Sequence, residues 1–433
     1  LAKAGTSIKS PDVIPRSQHP ISRTNISENA LKVLYRLKKS GYDAFLVGGS
    51  VRDLLLGREP KDFDVVTNAH PEEINDLFRN CRLIGRRFRL AHIRFGREII
   101  EVATYRASHD QDVEGDRQIQ DGMILRDNIY GTQEEDAWRR DFTVNALYYN
   151  IEDFSVVDYV GGMKDLDAGV LHLIGDTVKR FQEDPVRMLR AVRFAVKLGF
   201  RIHPDTEAPV FEYGHLLSTI PPARLFEEIL KLFMGGCALQ TFEILRHYGL
   251  FEHLFPQTEA IFSKAIFNKE GDDVSYNLLK QALVNTDKRI EEGKPVTPAF
   301  LFAALLWPPI MKLSAHYQAK GMTYLQSLQT AGGDVTVKQL ERIMIPRRFS
   351  TPMREIWVMQ ARLTRTRGKR PVRLMAHPRF RAAYDFLLLR GVAGEDINEL
   401  GEWWTNYQEV SEDERKKMTQ VPKGNRKRKK DRM

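Results

Sequence analysis

With 433 residues, 42% of them hydrophobic, and a formal net charge of +9, the chain exceeds one ordinary core, calls for about two to four domains and excludes wholesale disorder. Its two cysteines, Cys81 and Cys237, sit in no CxxC pair and have no histidine at zinc spacing, which sets aside a structural zinc or disulfide framework and suits a reducing cytoplasm. The most apolar run, Pro298 to Met311, is short and interrupted by Pro308 and Pro309, and the N-terminus lacks an apolar signal core, so a soluble protein is expected.

Residues 1–24 mix proline, serine and charge without period and predict a flexible lead-in. Ser27 then caps a helix whose stripe is Ala30, Leu31, Val33, Leu34 and Leu37, ended by Gly41. Strands are expected over 44–47 and 63–66, a helix from Pro71 to Asn80, and a hairpin of 90–95 with 98–104 about Gly96-Arg97. The acidic, glycine-marked stretch 108–122 has no period and predicts a loop near the site. Apolar pattern returns over Arg139 to Leu147, and Val156 to Val160 predicts a last strand that ends in a hinge at Gly161-Gly162. From Thr177 onward helical stripes dominate, first Val186, Leu189, Val192, Phe194, Val196 and Leu198, then Leu225, Ile229, Leu232 and Phe233. The fold class is therefore α+β, a small mixed-sheet head followed by a mostly α-helical remainder. The expected divisions are 1–24 lead-in, 25–160 catalytic head, 161–235 helical neck, 236–410 helical body and 411–433 basic disordered tail.

Chemistry concentrates in the head. Leu46-Val47-Gly48-Gly49-Ser50-Val51-Arg52-Asp53 runs a strand into two glycines, a hydroxyl and an arginine, and Asp62 and Asp64 follow at i and i+2. Side chains alternate along a strand, so the two carboxylates are expected on one face and Phe63 and Val65 on the other. Paired carboxylates suit a divalent ion such as Mg²⁺, which prefers oxygen ligands and keeps places for water and phosphate. Glycines let backbone N–H groups approach phosphate oxygens, and the following helix start adds positive potential. Phosphates and metal side by side point to phosphoryl or nucleotidyl transfer. The GxxxxGK[ST] signature and the protein-kinase signatures are absent from the sequence.

These residues resemble the head of the DNA polymerase β-type nucleotidyltransferase superfamily. Arg139-Arg140-Asp141 and Glu183-Asp184-Pro185-Val186-Arg187 resemble its class II branch, which contains the tRNA CCA-adding enzymes and bacterial poly(A) polymerases. The segment Leu83 to Ile93 and the basic tail are similar to the poly(A) polymerases of gamma-proteobacteria within that branch. The resemblance implies that Asp62 and Asp64 hold two Mg²⁺ ions, with Mn²⁺ as a substitute, and that Glu101 is the third carboxylate. Gly48, Gly49, Ser50 and Arg52 would cradle the β and γ phosphates of ATP, although an ion pair with Asp53 accounts for Arg52 equally. Arg140 and Asp141 would meet the ribose, or form a buried ion pair that orients the next strand. Asp184 and Arg187, three apart on an expected helix face, would read the Watson–Crick edge of the base, while helix capping explains part of that motif. Arg190 and Arg193 would face the triphosphate or serve as surface charge. His92 and His109 are left outside the site, because two-metal activation needs no histidine base.

RNA calls for its own surface. Arg365, Arg367, Lys369, Arg370 and Arg373 form a basic stretch followed by Phe380 and Tyr384, whose spacing suits base stacking and core packing alike. From Lys416 to the end nine Lys or Arg face one acid, and Lys427, Arg428, Lys429 and Lys430 lie in a run without apolar period that suits RNA contact. The implied reaction is template-independent polyadenylation of RNA 3′ ends, adding AMP from ATP with release of pyrophosphate and feeding RNA turnover. The alternatives are a CCA-adding tRNA nucleotidyltransferase and a catalytically idle RNA-binding protein. An RNA chaperone, a ribonuclease or a helicase would be partners of a monomer in the cytoplasm, with peripheral contact at the inner membrane through the basic ends.

Overall fold

A computed structural model describes residues 10–85, 89–107, 117–120, 123–127, 129–268 and 274–420. The chain divides into two compact units, one ending at Leu216 and the other beginning at Leu217. That division falls inside the segment expected as a single neck.

The strands of the first unit are β1 (Asp12–Ile14), β2 (Phe45–Val47), β3 (Asp64–Thr67), β4 (Cys81–Ile84), β5 (Leu90–Phe95), β6 (Glu98–Thr104), β7 (Arg117–Gln120), β8 (Met123–Asp127), β9 (Leu147–Asn150), β10 (Val156–Asp158), β11 (Val170–Leu171) and β12 (Arg201–Ile202). Its helices are α1 (Glu28–Lys39), α2 (Gly49–Leu55), α3 (Pro71–Leu77), α4 (Gln133–Arg139), α5 (Gly162–Asp167), α6 (Thr177–Glu183), α7 (Val186–Leu198) and α8 (Pro204–Tyr213). Eight strands form one mixed sheet in the order β1, β10, β9, β2, β3, β6, β5, β4. Its pairs are antiparallel except β3 against β6, which are parallel.

Local chemistry accounts for these elements. Ser27 accepts the Asn29 N–H at the start of α1, whose Ala30, Val33, Leu34 and Leu37 are all fully buried, and Gly41 follows it at φ +87°. Gly96 turns the β5–β6 hairpin at φ +62°, a conformation that β-carbons disfavour. Val65, Ile93, Ile100 and Val102 have no exposed surface and fill the sheet's core.

Several expectations change. Asp12–Ile14 of the expected lead-in is an edge strand on β10; three residues are too short for periodicity to register. Cys81–Ile84 pairs with β5, and β11 pairs in parallel with β12 beyond the point where β signal fades. Within the expected loop, Arg117–Gln120 pairs with Met123–Asp127, while 108–116 and 121–122 lie outside the described residues.

The second unit is helical. Its longest helix, Pro298–Ala319, passes straight through Pro308 and Pro309, against the expectation that they interrupt it. Proline has no N–H, so Pro309 leaves the Leu305 carbonyl without its helical donor. The buried Thr258 hydroxyl donates to that carbonyl at 2.7 Å, and Trp357 donates to Ala303 O at 3.0 Å. The helix is the one among the described residues long and apolar enough to cross a membrane, and two thirds of its apolar window is buried, against Tyr324–Leu340 and Arg347–Leu363 among others. Phe380 and Tyr384 pack into a cluster with Leu363, Trp404 and Tyr407, so core packing explains their spacing and base stacking does not.

Thr258→Val is expected to cost about 1–3 kcal/mol in urea unfolding, the penalty of an unmet buried carbonyl. Pro309→Ala restores an N–H for Leu305 O and should shrink that cost. An equal loss in both backgrounds would contradict the account.

Candidate active site

The register of the sheet carries one row from strand to strand. Tyr148 is opposite Val47, Val47 opposite Asp64, Asp64 opposite Glu101, and Glu101 opposite His92. Directly opposed residues share a face, so the carboxylates of Asp64 and Glu101 stand side by side on the face that carries Tyr148. Among the described residues none donates a hydrogen bond to the Asp64 carboxylate. Burial pushes its pKa up to about 6, Glu101 and Asp62 add repulsion, and Arg140 opposes them. His92 Nε2 lies 3.1 Å from Glu101 Oε2, so His92 belongs beside the site and not outside it. His109 lies outside the described residues.

Asp62 departs from the expected strand geometry. It occupies an exposed bend, and β3 begins only at Asp64; Lys61 and Asp62 are poor strand residues without a pairing partner on β2. Its charge still bears on Asp64. Phe63 and Val65 are buried as expected.

The glycine turn is built tightly. Gly48 holds φ +75°, and a Cβ there would sit 3.6 Å from Arg140 Nη1. A Cβ on Gly49 would sit 3.5 Å from Arg52 Nη2. The Ser50 hydroxyl donates to Val47 O at 3.1 Å, which leaves its main chain to meet a ligand. Arg52 is 2% exposed. It donates to Asp53 Oδ1 from Nε at 2.9 Å and from Nη2 at 2.6 Å, and to Asn145 Oδ1 from Nη1 at 2.6 Å. The Asp53 ion pair is therefore present, and the guanidinium forms the floor of the turn.

Acids hold the other arginines. Arg140 donates to Asp136 Oδ2 at 2.9 and 3.1 Å and to the Tyr148 hydroxyl at 3.1 Å; burial favours its neutral form, but Asp136 and Tyr148 outweigh it and raise its pKa. Asp141 accepts from Arg190 at 2.5 and 2.8 Å, from Asn145 Nδ2 and from the Phe142 N–H. Burial pushes Asp141 up, yet Arg190 and these bonds bring it down to about 2. Arg140 and Asp141 are thus each ion-paired, with Asp136 and Arg190 respectively. Arg180, 6% exposed, donates to Arg139 O at 2.7 Å and to Arg140 O, stapling α6 to the Arg139-Arg140-Asp141 segment. Burial and neighbouring Arg187 lower it to about 10 against the pull of Glu183.

Asp184 and Arg187 do not share one helix. Asp184 lies between α6 and α7 at φ −153°, ψ 88°, because the ring of Pro185 forbids helical backbone to the residue before it. Arg187 Nη1 donates to Arg180 O at 2.6 Å and contacts Glu183 at 3.2 Å, and its Nε and Nη2 donate to no other described residue. Two turns on, Phe194 gathers three guanidinium groups, those of Arg193 at 4.4 Å, Arg52 at 5.3 Å and Arg190 at 5.4 Å from its ring centre. Arg365, Arg367, Lys369, Arg370 and Arg373 are all exposed in the second unit, and Lys427, Arg428, Lys429 and Lys430 lie outside the described residues. Sequence reasoning missed Asp136, Asn145, Tyr148, Arg180 and the hub role of Phe194. Asn145, four residues past Asp141, and Asp136, four residues before Arg140, carried a local signal.

Comparison with known proteins agrees with this geometry. Residues 44–172 match the family described as "Poly A polymerase head domain", 199–262 that described as "Probable RNA and SrmB- binding site of polymerase A", and 320–433 that described as "Polymerase A arginine-rich C-terminus". The poly(A) polymerase I of Salmonella typhi is 52% identical over 94% of this chain and 88% of its own length. The chain belongs to the poly(A) polymerase family. The activity that goes with membership is template-independent polyadenylation of RNA. The CCA-adding enzyme of Geobacillus stearothermophilus is a more distant relative, 36% identical over 52% of this chain and 54% of its own length. A solved CCA-adding enzyme from Bacillus stearothermophilus in complex with CTP shares the fold, with a TM-score of 0.57 at 24% identity over 87% of this chain and 80% of that one.

Asp64 binds its proton more tightly than an ordinary carboxyl of 3.8, so its share of stability in the cation-free protein is lost as pH rises from about 4 through 6. Asp64→Asn is expected to raise the unfolding free energy at pH 7 by up to about 3 kcal/mol and to change nothing at pH 3. Equal stability of the two proteins at pH 7 would contradict the repulsion.

Proposed function

We propose that Asp62, Asp64 and Glu101 hold two Mg²⁺ ions, which Mn²⁺ replaces, and that this row joins AMP from ATP to an RNA 3′-hydroxyl with release of pyrophosphate. The observation that carries this reading is the opposition of Asp64 to Glu101 in register with the Asp64 pKa raised to about 6. An all-oxygen, charge-rich donor set, in which Asp64 accepts no hydrogen bond from the described residues and Glu101 meets His92, fits a hard divalent cation. When bound, such ions would lower the pKa of a hydroxyl and stabilise a leaving pyrophosphate.

The chain's own residues bind and orient. Main-chain N–H groups about Gly48, Gly49 and Ser50 approach the β and γ phosphates, with the Arg52 guanidinium beneath the turn and Arg190 and Arg193 adding positive charge. Arg140 and Asp141 position the ribose as a rigid, already paired wall. Asp184 accepts from the exocyclic amine of adenine, and the Nε and Nη2 edge of Arg187 donates to the ring nitrogen beside it. A wrong base leaves buried polar groups unpaired at about 1–3 kcal/mol each. His92 orients Glu101.

Arg365, Arg367, Lys369, Arg370 and Arg373 track the RNA backbone, and Lys427, Arg428, Lys429 and Lys430 extend that contact. The product feeds RNA turnover, in which an RNA chaperone, a ribonuclease or a helicase docks on a monomer. The reaction is cytoplasmic, with the basic ends touching the inner membrane surface.

Asp64→Ala is expected to abolish extension of a short RNA while RNA affinity stays within about twofold, since the carboxylate repels the backbone and does not hold it. Most of the activity surviving would overturn the row as the catalytic centre. Changing the five basic residues of 365–373 to Gln should flatten the log affinity against log salt slope by roughly 3 to 4. An unchanged slope would remove that surface from the RNA path.

A further inference from the structure

The parallel β11–β12 pair holds a second group of metal-ligating side chains, none of them in the carboxylate row. Val170 pairs with Arg201 and Leu171 with Ile202, and His203 N donates to Leu171 O at 2.9 Å. The next position of each strand is a histidine, so the ladder sets His172 beside His203. One ligand atom each of His172, His203 and Asp205 lies within 4.8 Å of the others. We propose that these three residues form a binding site for a borderline transition cation of the Zn²⁺ class, which braces the β11–β12 pair against α5 and the start of α8.

The surroundings of each ring favour this assignment. His172 Nδ1 lies 3.6 Å from Asp165 Oδ2, and the Thr143 hydroxyl donates to that same oxygen at 2.6 Å. A carboxylate behind the ring is the usual partner of a metal-bound imidazole, because it fixes the tautomer and strengthens the ligand. His203 Nδ1 accepts the Asp205 N–H at 3.2 Å. Both Nε2 atoms therefore remain as ligands, and neither bonds another described residue. The side chains of His172 and His203 are 32% and 33% exposed, which gives an ion an entry path.

The rings now stack face to face, 4.0 Å apart and 14° from parallel. A cation cannot lie in the planes of two parallel rings, so binding turns one imidazole out of the stack. Two imidazoles, one carboxylate and a water complete a tetrahedron, which Zn²⁺ and Co²⁺ accept and Mg²⁺ does not. The site is thereby selective against the ion of the carboxylate row.

Co²⁺ titration of the full chain in millimolar Mg²⁺, followed by visible absorption, tests this. Intense tetrahedral bands saturating at one Co²⁺ per chain are expected, weakened about tenfold or more in affinity by His172→Gln and by His203→Gln and unchanged in Asp64→Asn. On the unsubstituted protein, Zn²⁺ should shift the imidazole NMR signals of two histidines of the eleven, which requires no variant to fold. Absent tetrahedral bands, undiminished affinity in both histidine variants, loss in Asp64→Asn, or Zn²⁺ shifts at no histidine would each overturn the site.

Discussion

The parallel pairing of β3 with β6 sets Asp64 against Glu101, and the rest of the head is arranged around that repulsion. Like charges about 5 Å apart repel by about 3 kcal/mol at an effective dielectric of about 20. The fold tolerates this because Asp64 is held by covalent continuity with a strand whose Val65 and Val66 are buried. Hydrophobic burial thus supports a carboxylate pair whose own electrostatics oppose folding.

Across from that row the charge pattern reverses. Arg52, Arg140, Arg187 and Arg190 each lean on an acid, respectively Asp53, Asp136, Glu183 and Asp141. Pairing fixes the guanidinium groups before any nucleotide arrives, so little reorganisation accompanies binding, which is how preorganised dipoles and charges favour a transition state. Helix α7 delivers Arg187, Arg190 and Arg193 at three-residue steps, and Phe194 packs under Arg52, Arg190 and Arg193 together. Arg180 ties the helical segment to the Arg139-Arg140 backbone. A buried Asp64 carboxylate beside Glu101 and arginines already paired with acids are therefore the two halves of the head's charge pattern.

How much of this was legible in the sequence depended on distance along the chain. The glycine turn, the Asp62–Asp64 spacing and the α1 cap are local, and local chemistry specified them. Glu101 was legible as a strand residue, but its partner His92 became visible only through register. Asp136 meets Arg140 at the i,i+4 spacing of one helix, a pairing open to a sequence reading, whereas Tyr148 reaches Arg140 from a strand and no spacing rule reports that contact. Pro308 and Pro309 read as a break because the donor that rescues the helix, Thr258, comes from a distant helix. Asp184 and Arg187 read as one helical face, although the rule that a residue before proline leaves the helical region was available in the sequence. His172 and His203 are too far apart for any zinc-ligand spacing, and a two-residue parallel ladder brings them together.

The central claim is that this geometry extends RNA with adenylate, chosen by protein side chains alone. The most direct measurement offers ATP, CTP, GTP and UTP singly, and ATP with CTP, to the protein in Mg²⁺ with a short generic RNA and with tRNA lacking its terminal CCA. A long ladder on the generic RNA with ATP alone is predicted. Growth confined to the tRNA and dependent on CTP, or no extension of either RNA, would contradict the account.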